Sequence, residues 1–189
     1  MNLKILSVYT RAGDDGSTTR PDGGRIGKDD RLLAACGDLD EAVAALGVAR
    51  SKLQTEAPAL AATVLKLQRQ FMIVAEDLMV NPLTRSKAVE SISKVTKTMV
   101  QGLERRIDQL TTVKSSQVEF VIPGSEYVSA QLDLARAIVR RAERHIIGAA
   151  NRGYDVSPTV AAFVNRASDL VFVLARRVAG GSSEATSHL

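Results

Sequence analysis

Apolar positions recur at spacings of three and four along most of the chain, as they do in helices that bury one face. The first run carries Leu32, Leu33, Cys36, Leu39, Val43 and Leu46, and predicts a helix from Asp29, an acidic start, to about Leu53. A second, with Leu60, Val64, Leu67, Phe71, Val74 and Leu78, begins near Glu56 and tolerates Pro58 in its first turn. It ends at Asn81-Pro82, because the residue before a proline is pushed out of the helical region. Val89, Ile92, Val95, Met99, Leu103, Ile107 and Leu110 form a third stripe and predict a helix from Ser86 to about Leu110. The stretch Lys114 to Gly124 breaks the pattern. Within it Val118–Ile122 has the composition of a strand, but no partner strand is evident, so it reads as a connection. A fourth helix runs from Ser125, a fair N-cap, to about Asn151. A fifth opens at Ser157-Pro158, an N-cap followed by proline at the first helical position, with Val160, Val164, Ala167, Val171, Leu174 and Val178 as its stripe. Residues 1–27 read as a glycine-rich loop and residues 180–189 as a frayed, disordered tail. Five helices, short connections and no internal repeat predict an all-α fold, a five-helix bundle in one domain spanning residues 1–189.

Composition narrows the class. Aromatics make up only 4% of the 189 residues, with no Trp, which favours packed helices over a β-sandwich and leaves little for nucleobases to stack on. The net charge of +4 therefore suits an anionic ligand without calling for nucleic acid. A lone cysteine, Cys36, cannot close an intrachain disulfide; in Ala-Ala-Cys-Gly-Asp it reads as a small buried helix residue, not a nucleophile. With no CxxC, HExxH or ExxH pair and two histidines, His145 on a helix surface and His188 in the tail, a protein-ligated metal centre is not expected. No apolar run is read as long enough to span a bilayer and no signal-peptide core precedes the first helix, so the expectation is a soluble, cytoplasmic protein.

Two segments stand out chemically. The first is Thr10-Arg-Ala-Gly-Asp-Asp-Gly-Ser-Thr-Thr-Arg20, followed by Gly23-Gly-Arg-Ile-Gly-Lys28. Small residues, hydroxyls and backbone N–H groups of this kind hold anions. It is not a Walker loop, which would need glycine in place of Asp22 and a hydroxyl in place of Asp29, nor does GxGxxG follow a strand as a Rossmann site requires. Alone it could equally be a surface Ω-loop. The second is Arg136-Ala-Ile-Val-Arg-Arg-Ala-Glu-Arg144, with four arginines and a glutamate in nine residues. At about 100° per residue, Leu132, Ala135, Ile138, Val139, Ala142 and Ile146 form an apolar arc. Arg136, Arg140 and Glu143 run along its flank, while Arg141 and Arg144 point further round. Arginine forks bind phosphate oxygens in pairs. The alternative is a solvated face with pairs such as Arg140–Glu143. On the fifth helix Asn165, Asp169, Phe172 and Arg176 share a polar flank, where Asn165 can bond a phosphate or base and Asp169 can orient an arginine. Together the two segments predict a polyphosphate site built from both ends of the chain.

The set of Thr10–Thr19, Gly24-Arg-Ile-Gly-Lys28, Gly37-Asp-Leu-Asp-Glu41, Phe120-Val-Ile-Pro-Gly124, Arg136…Arg140-Arg-Ala-Glu143 and Asn165-Arg-Ala-Ser-Asp169 resembles the PduO-type ATP:cob(I)alamin adenosyltransferases, from Tyr9 to about Arg176. It departs from the family's usual residues at Val43, Ser125 and Ala167, none of them a proposed ligand. The resemblance implies a ferritin-like up-and-down bundle forming homotrimers, with ATP between adjacent subunits, and transfer of the 5′-deoxyadenosyl group of ATP to cob(I)alamin with release of triphosphate. It implies that the loop, through Thr10, Arg11, Gly13, Asp14, Ser17, Thr18 and Thr19, wraps the triphosphate, and that Lys28 adds charge. It further implies that Arg140 and Asn165 contact ATP with Glu143 nearby, that Asp40 and Arg136 pair across the subunit interface, and that Phe120 sits against the corrin. Mg²⁺ would be held by phosphate oxygens and not by a protein cage. A cobalamin reductase is the implied partner, and neither nucleic acid nor membrane is. By position alone Phe120 could equally plug the end of the bundle. Cob(I)alamin is itself a strong nucleophile, so such an enzyme needs no Ser, Cys or His to attack C5′, only alignment and stabilisation of the leaving triphosphate. The competing class is a non-enzymatic basic helical bundle that binds nucleic acid or a protein partner; a metal-dependent phosphatase is disfavoured by the missing ligand cluster.

Overall fold

The computed structural model describes residues 9–21, 23–80, 93–111, 121–180 and 184–185. Among these residues are five helices, α1 (Arg31–Glu56), α2 (Pro58–Met79), α3 (Lys97–Leu110), α4 (Tyr127–Ala150) and α5 (Pro158–Ala179). Four short strands accompany them: β1 (Ser17–Thr19) and β2 (Arg25–Gly27) before α1, β3 (Val121–Ile122) before α4, and β4 (Glu184–Ala185) after α5.

The centre of the bundle is a seven-residue repeat. On α1, Leu32, Leu39, Leu46 and Leu53 alternate with Ala35, Ala42 and Ala49, and none is more than 3% exposed. On α4, Leu132, Val139 and Ile146 alternate with Val128, Ala135, Ala142 and Ala149, all fully buried. Large and small residues repeating every seven positions form the interlocking seam of antiparallel or parallel helices that cross at a shallow angle. The α1–α4 contact is the most extensive between any two elements; α2 lies on the other flank of α1, α5 on the other flank of α4, and α3 against α5. The α3 helix also reaches α2, where Arg106 Nε donates to Thr63 Oγ1 at 3.1 Å. Phe71 of α2 and Phe163 of α5 meet edge-to-face, 6.3 Å apart, in the fully buried interior. The α5 helix is long and apolar enough to cross a membrane, which the sequence reading did not credit. Here its apolar face, Val160, Phe163, Val164, Ala167, Val171 and Leu174, is taken up by the bundle core.

The helix ends depart from expectation where a side chain redirects the backbone. Asp30 caps α1 by accepting from Leu32 N at 2.8 Å, and α1 runs on to Glu56, with Pro58 opening α2 one residue later. The predicted start of the third helix, residues 86–92, lies outside the described residues. Val95, expected in that helix, is extended and buried, because its N–H is taken by the Asp77 carboxylate at 3.0 Å; α3 begins only after the Thr96 cap. Glu126, not Ser125, caps α4, its two oxygens accepting from Val128 N and Ser129 N. Ser157 caps α5 as expected, and Gly180 ends it at a positive φ of 60°, the left-handed turn that glycine takes without strain. The strand-like Val121–Ile122 does find a partner: it pairs antiparallel with Glu184–Ala185, inside the segment expected to be a frayed tail. A pairing so distant in sequence leaves no local signal.

A polar brace fixes the rotation of α4 against α1. Asp38, 8% exposed, receives Arg141 Nε at 2.9 Å and faces His145 Nδ1 at 2.6 Å, while Arg141 Nη2 reaches Glu41. The hydrogen bond to Asp38 leads the causes that hold the Arg141 guanidinium above its ordinary pKa. Arg141 and His145, read as outward-facing on the isolated wheel, are therefore turned to α1, whose position a one-helix wheel does not contain. Asp38→Ala should lower the melting temperature by a few degrees and by more than Glu41→Ala does, because Glu41 is exposed and its loss leaves both Asp38 contacts in place. Thermal unfolding followed by circular dichroism checks this; equal shifts would deny Asp38 its central place.

Candidate functional site: a glycine hairpin beside a polar α4–α5 face

The loop read as structureless contains a small hairpin. β1 and β2 pair antiparallel, with Thr18 opposite Ile26, and Ile26 inserts into the core at 9% exposed. The turn before β1 needs Gly16 at φ 81°, and Arg11 takes a left-handed φ of 60°. Arg25 organises the hairpin. Its Nη2 donates to Ala12 O at 2.7 Å, to both Asp15 oxygens at 2.9 Å and to Ser17 Oγ, and its Nη1 donates to Thr19 Oγ1 at 3.3 Å. Asp15 also accepts from Ser17 N and Ser17 Oγ, and these bonds, the Ser17 N–H first, hold its carboxyl below the usual range. Lys28 Nζ donates to Gly13 O at 2.7 Å. A Cβ at Gly13 would lie 3.0 Å from that Nζ and 3.1 Å from Ser17 O, so any larger residue there would crowd the seat of Lys28. Thr10 accepts from Ala12 N, Arg11 lies over the Tyr9 ring, and Asp14 is exposed.

Three contacts seat the hairpin on one end of the bundle. Ile26 enters the core, Arg20 Nε donates to Met79 O at 3.0 Å at the end of α2, and the Tyr154 hydroxyl bonds Asp30. That end is where α1 starts, α2 stops and α4 turns into α5. The hydrogen bond to Asp30 leads the causes that raise the Tyr154 pKa.

Two turns in from the same end, α4 and α5 carry the second cluster. Asn165 Nδ2 donates to Glu143 Oε1 at 3.0 Å, and Arg166 bonds Asn165 Oδ1 at 3.3 Å, Asp169 at 2.7 Å and Glu104 of α3 at 3.4 Å. Asp169 does orient an arginine, its neighbour Arg166, and this bond is first among the causes that raise the Arg166 pKa. Arg140 is exposed, and its guanidinium has no partner among the described residues. The Arg140–Glu143 pair that a solvated charged face would make is absent among those residues, because Glu143 is turned to Asn165. Among the described residues no hydrogen bond joins Arg140, Glu143 or Asn165 to the hairpin.

Other expected residues lie apart. Arg136 is 3.9 Å from Asp133 on its own helix and stacks over Phe172 at 5.6 Å; Arg176 bonds Asp133 and Ser129 and covers Phe172 at 5.4 Å. Asp40 is exposed and does not meet Arg136 within the chain. Phe120 lies outside the described residues. Cys36 is half-buried with its sulfur 3.8 Å from Ala75 O, and burial pushes its thiol up to about 12, which keeps it protonated and non-nucleophilic. The sequence reading missed Asp15 and Arg25 as organisers of the loop, although Arg25 stood inside the quoted Gly-Arg-Ile-Gly-Lys run.

Comparison with known proteins bears on this arrangement. A corrinoid adenosyltransferase of Citrobacter freundii is 34% identical over 174 residues, covering 91% of this chain and 94% of that protein. A phenylalanine-to-histidine variant of a PduO-type ATP:corrinoid adenosyltransferase from Lactobacillus reuteri, complexed with cobalamin and ATP, superposes with a TM-score of 0.83 at 27% identity, covering 94% of each chain. An arginine-to-lysine variant complexed with ATP superposes at 0.81 and 27%, covering 94% of this chain and 99% of that one. The cobalamin adenosyltransferase family profile matches residues 8–178, so the hairpin and the α4–α5 face fall within a single family unit, and the chain belongs to the cobalamin adenosyltransferase family.

Proposed function

We propose that the chain transfers the 5′-deoxyadenosyl group of ATP to the cobalt of cob(I)alamin, giving adenosylcobalamin and triphosphate. The electron pair of Co(I) attacks C5′, the C5′–O bond breaks, and its electrons leave on the triphosphate. Family membership supports this reading. The observation that carries it is the α4–α5 face, where Glu143 is held by Asn165 while Arg140, one turn away, has no partner for its guanidinium among the described residues. A free guanidinium beside a fixed polar pair offers paired donors to phosphate oxygens and stabilises charge as it develops on the leaving group. The competing reading, a non-enzymatic basic bundle, has no comparable observation behind it.

The N-terminal segment, residues 1–27 with Lys28, is the proposed triphosphate loop. Arg25 and Lys28 are occupied by the loop's own carbonyls and by Asp15, and a polyphosphate would draw them off those weaker partners. Thr10, Arg11, Gly13, Asp14, Ser17, Thr18 and Thr19 supply the surrounding N–H groups and hydroxyls. Mg²⁺ is proposed to be carried on the phosphate oxygens, where it would offset their charge. The cytoplasm as site of action and a cobalamin reductase as source of reduced cobalt remain part of the proposal.

Arg140→Ala should cost about 30- to 1000-fold in the rate of Co–C bond formation, the ~2–4 kcal/mol of one contact to transition-state charge, whereas Arg144→Ala should cost little. Arg144 is exposed and, among the described residues, donates only to the Arg140 carbonyl. The spectral change on adding ATP to reduced cobalamin reads this, and small equal effects would return the face to a merely solvated role.

A homotrimer is proposed from the family resemblance, with Arg136, which lies 3.9 Å from Asp133 on its own helix, at the subunit interface. Asp40 of a neighbouring copy is the proposed complement. Sedimentation should give a trimer at micromolar concentration, and Arg136→Ala should weaken association and lower activity; a monomeric wild type would exclude the interface.

Phe120 is proposed to press against the lower corrin face and keep axial ligands off cobalt, easing reduction before attack. Phe120→Ala should stay folded, bind ATP, lose adenosylation most severely in assays started from cob(II)alamin, and lose the spectrum of four-coordinate cob(II)alamin. A core plug would instead lose about 3–5 kcal/mol of stability on truncation, and a folded mutant with unchanged activity and spectrum would remove Phe120 from the mechanism.

A further inference from the structure

A second cleft, of about 390 Å³, opens between α2 and α3. Leu170 lines it from α5 and lies about 140° round that helix from Asn165, so the cleft is on a different side of α5 from the Glu143 contact. Its volume falls at the small end of the range for ligand pockets.

The lining is built for an anion. Lys66 of α2 and Arg105 and Arg106 of α3 border the cleft, and among the described residues no carboxylate lines it. Lys66 and Arg105 are exposed and have no ion-pair partner among the described residues. Arg106 is held in place from two sides: its Nε donates to Thr63 Oγ1 at 3.1 Å and its Nη1 to Gln109 Oε1 at 3.3 Å, which leaves other N–H donors of the fork available. Like charges gathered without an acid repel one another, and that cost is recovered when an anion binds.

The second feature lies deeper. Gln70 lines the same cleft at 8% exposed, and its Oε1 is buried with no hydrogen-bond partner. A buried carbonyl without a donor is unfavourable, and native structures that keep one call for an explanation. Because Gln70 lines the cleft, a rotation of its side chain would bring this oxygen to a donor bound there. No aromatic ring lines the cleft, so nothing in it would stack a nucleobase.

We propose that this cleft binds a small phosphate monoester bearing a hydroxyl donor, with the phosphate met by Lys66, Arg105 and Arg106 and the hydroxyl by Gln70 Oε1. The site is separate from adenosyl transfer and takes a free metabolite, not a lipid headgroup. Its geometry explains both the unpaired cations and the unsatisfied amide with one ligand.

Glycerol 3-phosphate is a suitable probe, titrated by calorimetry into the intact protein with its nucleotide site saturated by a non-hydrolysable ATP analogue. Saturable binding is expected, weakened at least tenfold by the double variant Lys66→Ala/Arg105→Ala, whose fold and adenosylation rate should be unchanged because both residues are exposed. Gln70→Leu should weaken glycerol 3-phosphate severalfold while leaving methyl phosphate, which has no hydroxyl to donate, unaffected; its melting temperature should not fall, since an unsatisfied group has been removed. Arg140→Ala should leave this binding intact even as it impairs adenosylation, so the two sites fail separately. No saturable binding, binding indifferent to Lys66 and Arg105, or binding lost with Arg140→Ala would overturn the proposal. So would co-sedimentation with phosphatidic acid vesicles that glycerol 3-phosphate does not compete away.

Discussion

The close approach of α1 and α4 is the constraint on which the rest of the molecule depends. Ala35, Ala42 and Ala49 on one helix and Ala135, Ala142 and Ala149 on the other are fully buried, so little side-chain bulk separates the two backbones at these levels. Only at such a distance can Asp38 at the edge of the seam hold Arg141 at 2.9 Å with His145 beside it. Larger residues at the alanine positions would force the helices apart at a cost of about 1–3 kcal/mol each, and would draw the brace out of reach as well. Packing and polar geometry are thus coupled along this seam.

That coupling sets the direction of the functional face. With Arg141 turned to α1 and Ala142 in the core, the helical repeat sends Glu143 toward α5, where Asn165 receives it, and leaves Arg140 facing solvent. Two adjacent arginines therefore differ: Arg141 fixes the helix against α1, whereas Arg140 has no partner among the described residues and is the proposed phosphate ligand. At the end of the bundle the hairpin is held by Ile26, Arg20 and the Asp30–Tyr154 bond, while its cationic groups are satisfied internally by Asp15 and by backbone carbonyls. The described part of the loop is braced by its own side chains, and its charges sit on partners that a polyphosphate can displace.

Much of this was legible in the sequence, for reasons that can be separated. All five helices could be read because each carries its apolar stripe within a few turns of chain. The seam was not: its alanines pass for ordinary helix formers, and only the facing helix shows that they permit contact. Caps were misread by one residue where a longer side chain did better, as Glu126 does by taking two N–H groups. Val95 was misassigned because a carboxylate remote in sequence, Asp77, removes its backbone donor from helix formation. The β3–β4 pair was invisible because its strands lie on opposite sides of two helices in the chain. At the candidate site, Glu143 and Asn165, singled out by residue type and spacing, do meet each other, whereas Arg141 was misplaced because one wheel shows a flank without showing which neighbour stands beside it.

The charges also fit the reaction's division of labour. Burial keeps the Cys36 thiol protonated, with a pKa of about 12, and the hydrogen bond to Asp30 keeps the Tyr154 phenol in its neutral form, so neither offers a nucleophile at neutral pH. Cations are instead graded by commitment. Arg141 and Arg166 are fixed on carboxylates, Arg25 and Lys28 are held by groups an anion can replace, and Arg140 is held by nothing among the described residues. When the nucleophile arrives with the substrate, the protein's part is to receive the negative charge that leaves. A fold that spends some of its arginines on rigidity and withholds others can do so with little reorganisation at the moment of bond breaking, and preorganised charge of this kind is the most effective form of electrostatic catalysis.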